Sequence, residues 1–377
     1  MKNSFGDAIT LSIFGESHGE AIGALIDSPP PGLKVSKEEI AFYLKKRRPA
    51  GLVSTARVEA DEYRILSGVY NGMTTGTPVM IEIPNTAQRS GDYKAISSLA
   101  RPSHADAAAY SKYHGFEDRH GGGHFSGRLT AALVAGGDFS GRITAALVAA
   151  GALFMPALNK KGIKIGTHVL RCAGVSDREF INYDEDIEKL RPMNFPVLSD
   201  EAGEKMQEKI LAARSELDSV GGVTETVITG LMPGLGEPYF DSLESRLSHA
   251  MFSLGGVKGI EFGKGFAISD MRGSEANDPF YMKDGKVLTR TNNNGGINGG
   301  ISNGMPVIFR LAVKPTPSIA KKQKTVDFEK GTDSEIEIKG RHDPCICHRV
   351  GCVAECLTAF VLADIITARF GTDYLAL

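Results

Sequence analysis

FSGRLTAALVAGG (Phe125–Gly137) is followed, one residue later, by FSGRITAALVAAG (Phe139–Gly151), a repeat at a shift of 14 positions. This is the clearest helical territory in the chain, and it predicts a helix over 128–155. Fourteen residues are nearly four turns, so an added copy keeps the same face apolar while lengthening the helix by about 21 Å. Two copies do not build a solenoid, which makes this a local duplication within a larger fold.

Outward from this helix the pattern changes to strands. Residues 164–170 and 222–229 read as strands on either side of an acidic helical region at 183–215. Before it, Ala8–Phe14 reads as a strand ending at Gly15, and 53–83 as short strands with a hairpin. Ser36-Lys-Glu-Glu39 is a capping box that opens a helix through Lys46, closed by Pro49 and Gly51. Further along, 240–252 predicts a helix, 256–266 and 305–313 predict strands, and a last helix runs from near Cys352 to about Arg369. Strands and long helices together predict a mixed α and β fold. No βαβ period is sustained and no dinucleotide-binding glycine fingerprint occurs, which argues against a doubly wound sheet.

The 377 residues carry 43 Lys and Arg against 45 Asp and Glu, a formal charge of −2. Global charge therefore gives no case for a nucleic-acid or membrane partner, and any anion site must be local. The N-terminus lacks the apolar stretch and cleavage site of a signal peptide, and no segment reads as the ~20 apolar residues of a membrane span. A cytoplasmic protein is expected. Five cysteines at 172, 345, 347, 352 and 356 are odd in number and mostly bunched, which fits a reducing compartment. The 44 glycines cluster at places such as Gly121-Gly-Gly123, Gly295-Gly296 and Gly299-Gly300, where they make tight turns or let backbone amides approach a ligand.

Several constellations have chemical potential. In Gly15-Glu-Ser-His18-Gly19, an imidazole stands between glycines after a strand, placed for proton transfer or, more plainly, exposed. His104 ends a polar loop beside Arg101. His120-Gly-Gly-Gly-His124-Phe125-Ser126-Gly-Arg128 leads a glycine run into a helix, either an anion cradle or a flexible turn with a serine cap. Asn292–Gly304 is rich in Asn and Gly and runs into Lys314-Pro315-Thr316-Pro317-Ser318, where a lysine and two hydroxyls in a proline-stiffened chain suit a phosphate. Arg341-His342-Asp343-Pro-Cys345 offers either a simple ion pair or an acid–base couple. Cys345, Cys347, Cys352 and Cys356, with His348 among them, lack the paired C-x2-C form of common zinc sites. The last two also fit small core positions on a helix, so no metal is expected.

Taken in order, these motifs resemble the chorismate synthase family. Three blocks carry the likeness: Gly15–Gly19 with the Ala-Ile-Gly-Ala-Leu-Ile-Asp and Pro-Pro-Gly that follow, Gly121–Arg128, and Arg341–Cys345. Between them Arg47-Arg48-Pro49, Ile65–Gly68, Thr74–Pro78, Arg101–Asp106, Ser248–Ser253 and Asn293–Gly296 through Lys314–Ile319 match in sequence order, from about residue 5 to 365.

The resemblance implies one α+β catalytic domain with a central sandwich of two antiparallel sheets surrounded by helices. It implies a homotetramer that converts 5-enolpyruvylshikimate 3-phosphate to chorismate and phosphate by an anti-1,4-elimination requiring reduced FMN. No flavin reductase domain is apparent, so an external reductant is expected, with NADPH oxidation through a separate partner. The resemblance assigns catalysis to His18, His104 and Asp343. It assigns FMN contacts to His124, Phe125, Ser126, Gly255, Gly256, Gly299, Lys314, Pro315, Thr316, Pro317, Ser318 and Arg341, and substrate or anion contacts to Arg47, Arg48 and Arg128. In those roles His18 protonates the departing phosphate, His104 tunes the flavin and Asp343 supports removal of the C6 proton. Three departures stand out: Leu52-Val53 where relatives often carry an arginine, His348-Arg349 where a Pro-Arg pair is common, and the duplication. A phosphoacid lyase without flavin, or an anion-binding oligomer that has lost turnover, remain the competing readings.

Overall fold

A computed structural model describes residues 2–16, 19–49, 51, 53–54, 61–85, 98–116, 143–338 and 343–376. Two five-stranded antiparallel sheets dominate it. The first has the order Ser4–Phe5, Thr10–Gly15, Ala21–Asp27, Val79–Pro84, Arg64–Ser67. The second has the order Val257–Phe262, Val307–Val313, Gly222–Thr229, Lys164–Cys172, Val175–Ser176. Period-two patterning sets which face of each strand is inside. Val79, Ile81 and Ile83 are buried while Met80, Glu82 and Pro84 are half-buried, and Val307, Phe309, Leu311 and Val313 likewise point inward.

The expected pair of antiparallel sheets is present, and helices lie between them as well as around them. Helix Ile143–Ala152 packs on Thr10–Gly15, Ala21–Asp27 and Val79–Pro84, with its other side on helix Cys347–Phe370. The latter packs in turn on Lys164–Cys172 and Gly222–Thr229. Both helices are apolar on nearly every face because every face is covered. They meet closely at Gly151, where a Cβ would run into the carbonyl oxygen of Cys356. The core they build is continuous from one sheet to the other.

Helix Tyr183–Leu190 covers the outer side of the second sheet, burying Ile187 against Gly166. Asp364 ties the N-terminal segment to the long helix: its Oδ1 accepts from the amides of Ala8 at 2.8 Å and Ile9 at 2.9 Å, while Arg246 Nη2 reaches Oδ2 at 2.5 Å.

Three readings are corrected or sharpened. The last helix begins at Cys347, so Cys347, His348 and Arg349 belong to its first turn. The same helix is long and apolar enough to cross a membrane, contrary to the expectation that no segment is, but it is buried inside the protein. The second copy of the duplication supplies helix Ile143–Ala152, and the first copy lies outside the described residues.

Candidate functional site

A tight turn places the first group of side chains. The amide of His104 donates to the carbonyl of Arg101 at 3.1 Å, with Ser103 at φ 59°, and this folds both side chains back onto Asp106 at the start of helix Asp106–Tyr113. Arg101 grips the Asp106 carboxylate with Nε at 2.6 Å and Nη2 at 2.5 Å, while His104 Nδ1 lies 2.7 Å from Oδ1. Burial works against charge on Asp106, but hydrogen bonds from His104 and Arg101 prevail and hold its carboxyl well below the usual range. His104 is pushed down, by burial first and then by Arg101, against the opposing pull of Asp106. At neutral pH the ring is therefore neutral, with Nδ1–H donating to Asp106 and Nε2 without a protein partner among the described residues.

Lys314 joins this group from the second sheet. Its Nζ donates to the carbonyl of Ser103 at 2.6 Å, and its amide donates to Gly256 at 2.9 Å. The register Val257↔Val313 brings Gly255 and Gly256 beside Lys314. Burial, aided by Lys258, lowers the Lys314 pKa. Beyond it, Thr316 and Ser318 are buried, and neither Thr316 Oγ1 nor Ser318 Oγ has a hydrogen-bond partner among the described residues. Buried hydroxyls left in that state cost about 1–3 kcal/mol each, an arrangement that a bound phosphate or ribityl oxygen relieves. The residues at Lys314–Ser318, with Gly255 and Gly256, thus fit the phosphorylated cofactor that the resemblance implies. Pro315 is exposed and Pro317 half-buried, and both stiffen this stretch. Gly299 turns the small hairpin Ile297–Asn298/Ile301–Ser302, which packs against Leu235 and Leu243.

A second group forms where helix Lys37–Arg47 ends against the start of helix Cys347–Phe370. Arg47 is buried and paired with Asp61, which Arg48 Nε also reaches at 3.4 Å. Arg349 donates from Nε to the carbonyl of Arg47 at 2.9 Å and from Nη1 to Asp343 Oδ2 at 2.5 Å. His348 Nε2 lies 3.1 Å from Ser54 Oγ. Lys46 pairs with the buried Glu355 at 3.4 Å.

A short segment joins the groups. Ser219 Oγ donates to the carbonyl of Thr316 at 2.7 Å, and the amide of Val220 donates to the carbonyl of Pro344 at 2.8 Å. Gly221 allows this closeness, since a Cβ there would strike Val313 and Pro315. Across the two groups six cations, Lys46, Arg47, Arg48, Arg101, Lys314 and Arg349, face four carboxylates, Asp61, Asp106, Asp343 and Glu355. That excess of positive charge in a largely desolvated place suits a multiply anionic ligand.

Of the predicted residues, His104, Gly255, Gly256, Lys314, Thr316 and Ser318 gather around one region, and Arg47, Arg48 and Asp343 around the other. His18, His124, Phe125, Ser126, Arg128 and Arg341 lie outside the described residues. Sequence reasoning missed Asp61, Asp106 and Arg349 as working parts. Asp106 closes a motif already singled out by its histidine, and Arg349 appears there only as a departure.

Comparison with known proteins agrees along the whole chain. The family model described as chorismate synthase matches residues 9–139 and 135–367, the two stretches overlapping inside the duplication. A chorismate synthase of Pyrococcus abyssi is 44% identical over 360 residues, covering 95% of this chain and 96% of the relative. That of Methanosarcina acetivorans is 44% identical over 363 residues, covering 96% and 95%. A crystal structure of chorismate synthase superposes with a TM-score of 0.74 at 26% identity, covering 97% of this chain and 94% of that one. With motifs, fold and full-length similarity in agreement, the chain belongs to the chorismate synthase family.

Proposed function

We propose that this chain is a lyase of the shikimate pathway that converts 5-enolpyruvylshikimate 3-phosphate to chorismate and phosphate, acting as one catalytic unit. The observation that carries the reading is the contact of Lys314 with the His104 turn through Ser103, next in the chain to the two buried, unpartnered hydroxyls of Thr316 and Ser318, in stretches that the family model spans. The elimination breaks the C–O bond to phosphate and the C6–H bond, forms a new double bond, and releases one proton and one phosphate. Arg47 and Arg48 supply positive charge against the substrate's anionic groups. His104, oriented through Nδ1 by Asp106, presents Nε2 as the atom that takes or gives a proton. Asp343, held by Arg349 Nη1 at 2.5 Å, is the carboxyl that supports removal of the C6 proton in this reading.

Gly255, Gly256, Lys314, Thr316 and Ser318 would hold FMN, the cofactor of this reading, whose reduced form would supply transient electron transfer. His18 keeps its assignment as donor to the departing phosphate, and His124–Ser126, Gly299, Arg128 and Arg341 theirs as ligand contacts. A homotetramer in the cytoplasm, served by an external flavin reductant, completes the proposal.

The test is anaerobic incubation of the purified chain with substrate and FMN, reduced or oxidised. Phosphate and chorismate should appear together, and only with reduced FMN. Phosphate without chorismate means hydrolysis and sinks the assignment, as does equal turnover without flavin.

A further inference from the structure

Three thiols meet outside the groups assigned above. Cys172 ends strand Lys164–Cys172, Cys345 follows Asp343 and Pro344, and Cys347 begins the long helix. Their Sγ atoms all lie within 4.8 Å of one another, Cys172 and Cys345 being 3.5 Å apart, and none is exposed. Among the described residues this is the one grouping of three or more potential metal ligands so close together. Thiolates arranged tetrahedrally around zinc at about 2.3 Å place their sulfurs roughly 3.8 Å apart, a spacing of the kind seen here.

A candidate fourth donor is next in the chain, its ring nitrogens lying outside the cluster of three in this structure. His348 is buried, its Nε2 is taken by Ser54 Oγ at 3.1 Å, and its Nδ1 has no partner among the described residues. A ring nitrogen fixed by an outer hydrogen bond with the other nitrogen free is the usual preparation of a metal-ligating histidine.

We propose that Cys172, Cys345 and Cys347 form a site for a thiophilic divalent cation, zinc being the test ion, with the His348 ring turning in on loading to supply Nδ1 as fourth donor. Loading releases the thiol protons still bound to the three sulfurs and leaves a centre of net charge −1, with Arg349 two residues beyond Cys347. Because the sulfurs are sealed from solvent, the ion enters as the chain folds. Its place is structural: it braces the backbone between Asp343 and Arg349 against the end of strand Lys164–Cys172.

The full-length chain, produced in zinc-supplemented medium and purified without chelator, should carry one zinc per chain by elemental mass spectrometry. Refolded with cobalt(II), it should show thiolate-to-cobalt charge-transfer absorption and the visible bands of a tetrahedral site. Cys172→Ser should lose both signals, whereas Cys352→Ser, whose Sγ faces the Tyr43 carbonyl at 3.6 Å, should keep them. Ser54→Ala should weaken metal affinity roughly 10- to 100-fold, and unchanged affinity removes His348 as a donor. Metal-free wild-type protein with no cobalt charge transfer overturns the site even if the serine variants fail to fold. So does a Cys172–Cys345 disulfide in its place, or folded Cys172→Ser that retains its zinc.

Discussion

Arg349 Nη1 lies 2.5 Å from Asp343 Oδ2, and both side chains are almost completely closed off from solvent. Removing the cation leaves a buried carboxylate whose main described partner is gone. Arg349→Met should destabilise the fold by about 3–5 kcal/mol. Asp343→Asn, which removes the charge and keeps a polar group, should lose less of the fold and more of the activity. Urea unfolding of both variants, read beside single-turnover rates, checks the pairing; a neutral Arg349→Met would show that the ion pair carries no stability.

The tautomer of His104 depends on Asp106. Asp106→Asn should slow the chemical step roughly 10²- to 10⁴-fold while changing substrate binding much less. Because the folded His104 pKa is lowered, the acid limb of activity should lie below about 6.5. Asp106 pulls that pKa upward, so in Asp106→Asn the limb should move further toward acid. Single-turnover rates across pH report both effects, and a limb that stays fixed in the variant detaches Asp106 from the histidine.

Thr316 and Ser318 bury hydroxyls without partners, so their removal should act oppositely on the free protein and on the complex. Ser318→Ala should leave the ligand-free melting temperature unchanged or raise it, since about 1–3 kcal/mol of desolvation cost is relieved. The same variant should bind FMN more weakly, by flavin fluorescence titration. Lower free-protein stability together with unchanged FMN affinity would place this oxygen in the packing alone.

His168 is buried between Asp177, 2.9 Å from Nδ1, and Glu225, 3.3 Å from Nε2, and Arg310 bonds the far oxygen of Glu225 at 2.7 Å. Burial opposes the charged ring, but the two carboxylates prevail and its pKa is raised. Its contribution is therefore complete below the unfolded value near 6.5 and is lost as pH rises through the folded value. Stability should fall across that window with a slope of at most about 1.4 kcal/mol per pH unit. Asp177 and Glu225, both lowered, contribute in the opposite sense, losing their share on the acid side. Chemical denaturation from pH 5 to 9 should show the alkaline decline in the wild type and its absence in His168→Gln.

Much of the architecture was legible from pattern alone. The strand read at 222–229 is Gly222–Thr229, and Ser36 caps its helix by accepting the amide of Glu39 at 3.1 Å, as the capping box predicts. What pattern could not give was which elements meet. Cys172 stands far from Cys345 in sequence, and only the adjacency of strand Lys164–Cys172 and helix Cys347–Phe370 joins them. The same limit hid Arg349: read before the expected helix start near Cys352, it has partners, Asp343 and the carbonyl of Arg47, that are set by tertiary packing. The roles of His104 and Lys314 were proposed separately, and their meeting through Ser103 required the fold.

The helix at Cys347–Phe370 follows every strand of both sheets in chain order, yet it backs one sheet directly and the other through Ile143–Ala152. A nascent chain emerging at ~5–20 residues per second thus carries two sheet patterns whose shared core lacks its long helix until that helix has been made. During that interval the inward faces, rich in Val, Ile and Leu, are open to wrong partners. Production of this protein should accordingly depend on a chaperone that shields incomplete chains, and losing even the final few turns should leave aggregates in place of a smaller working enzyme.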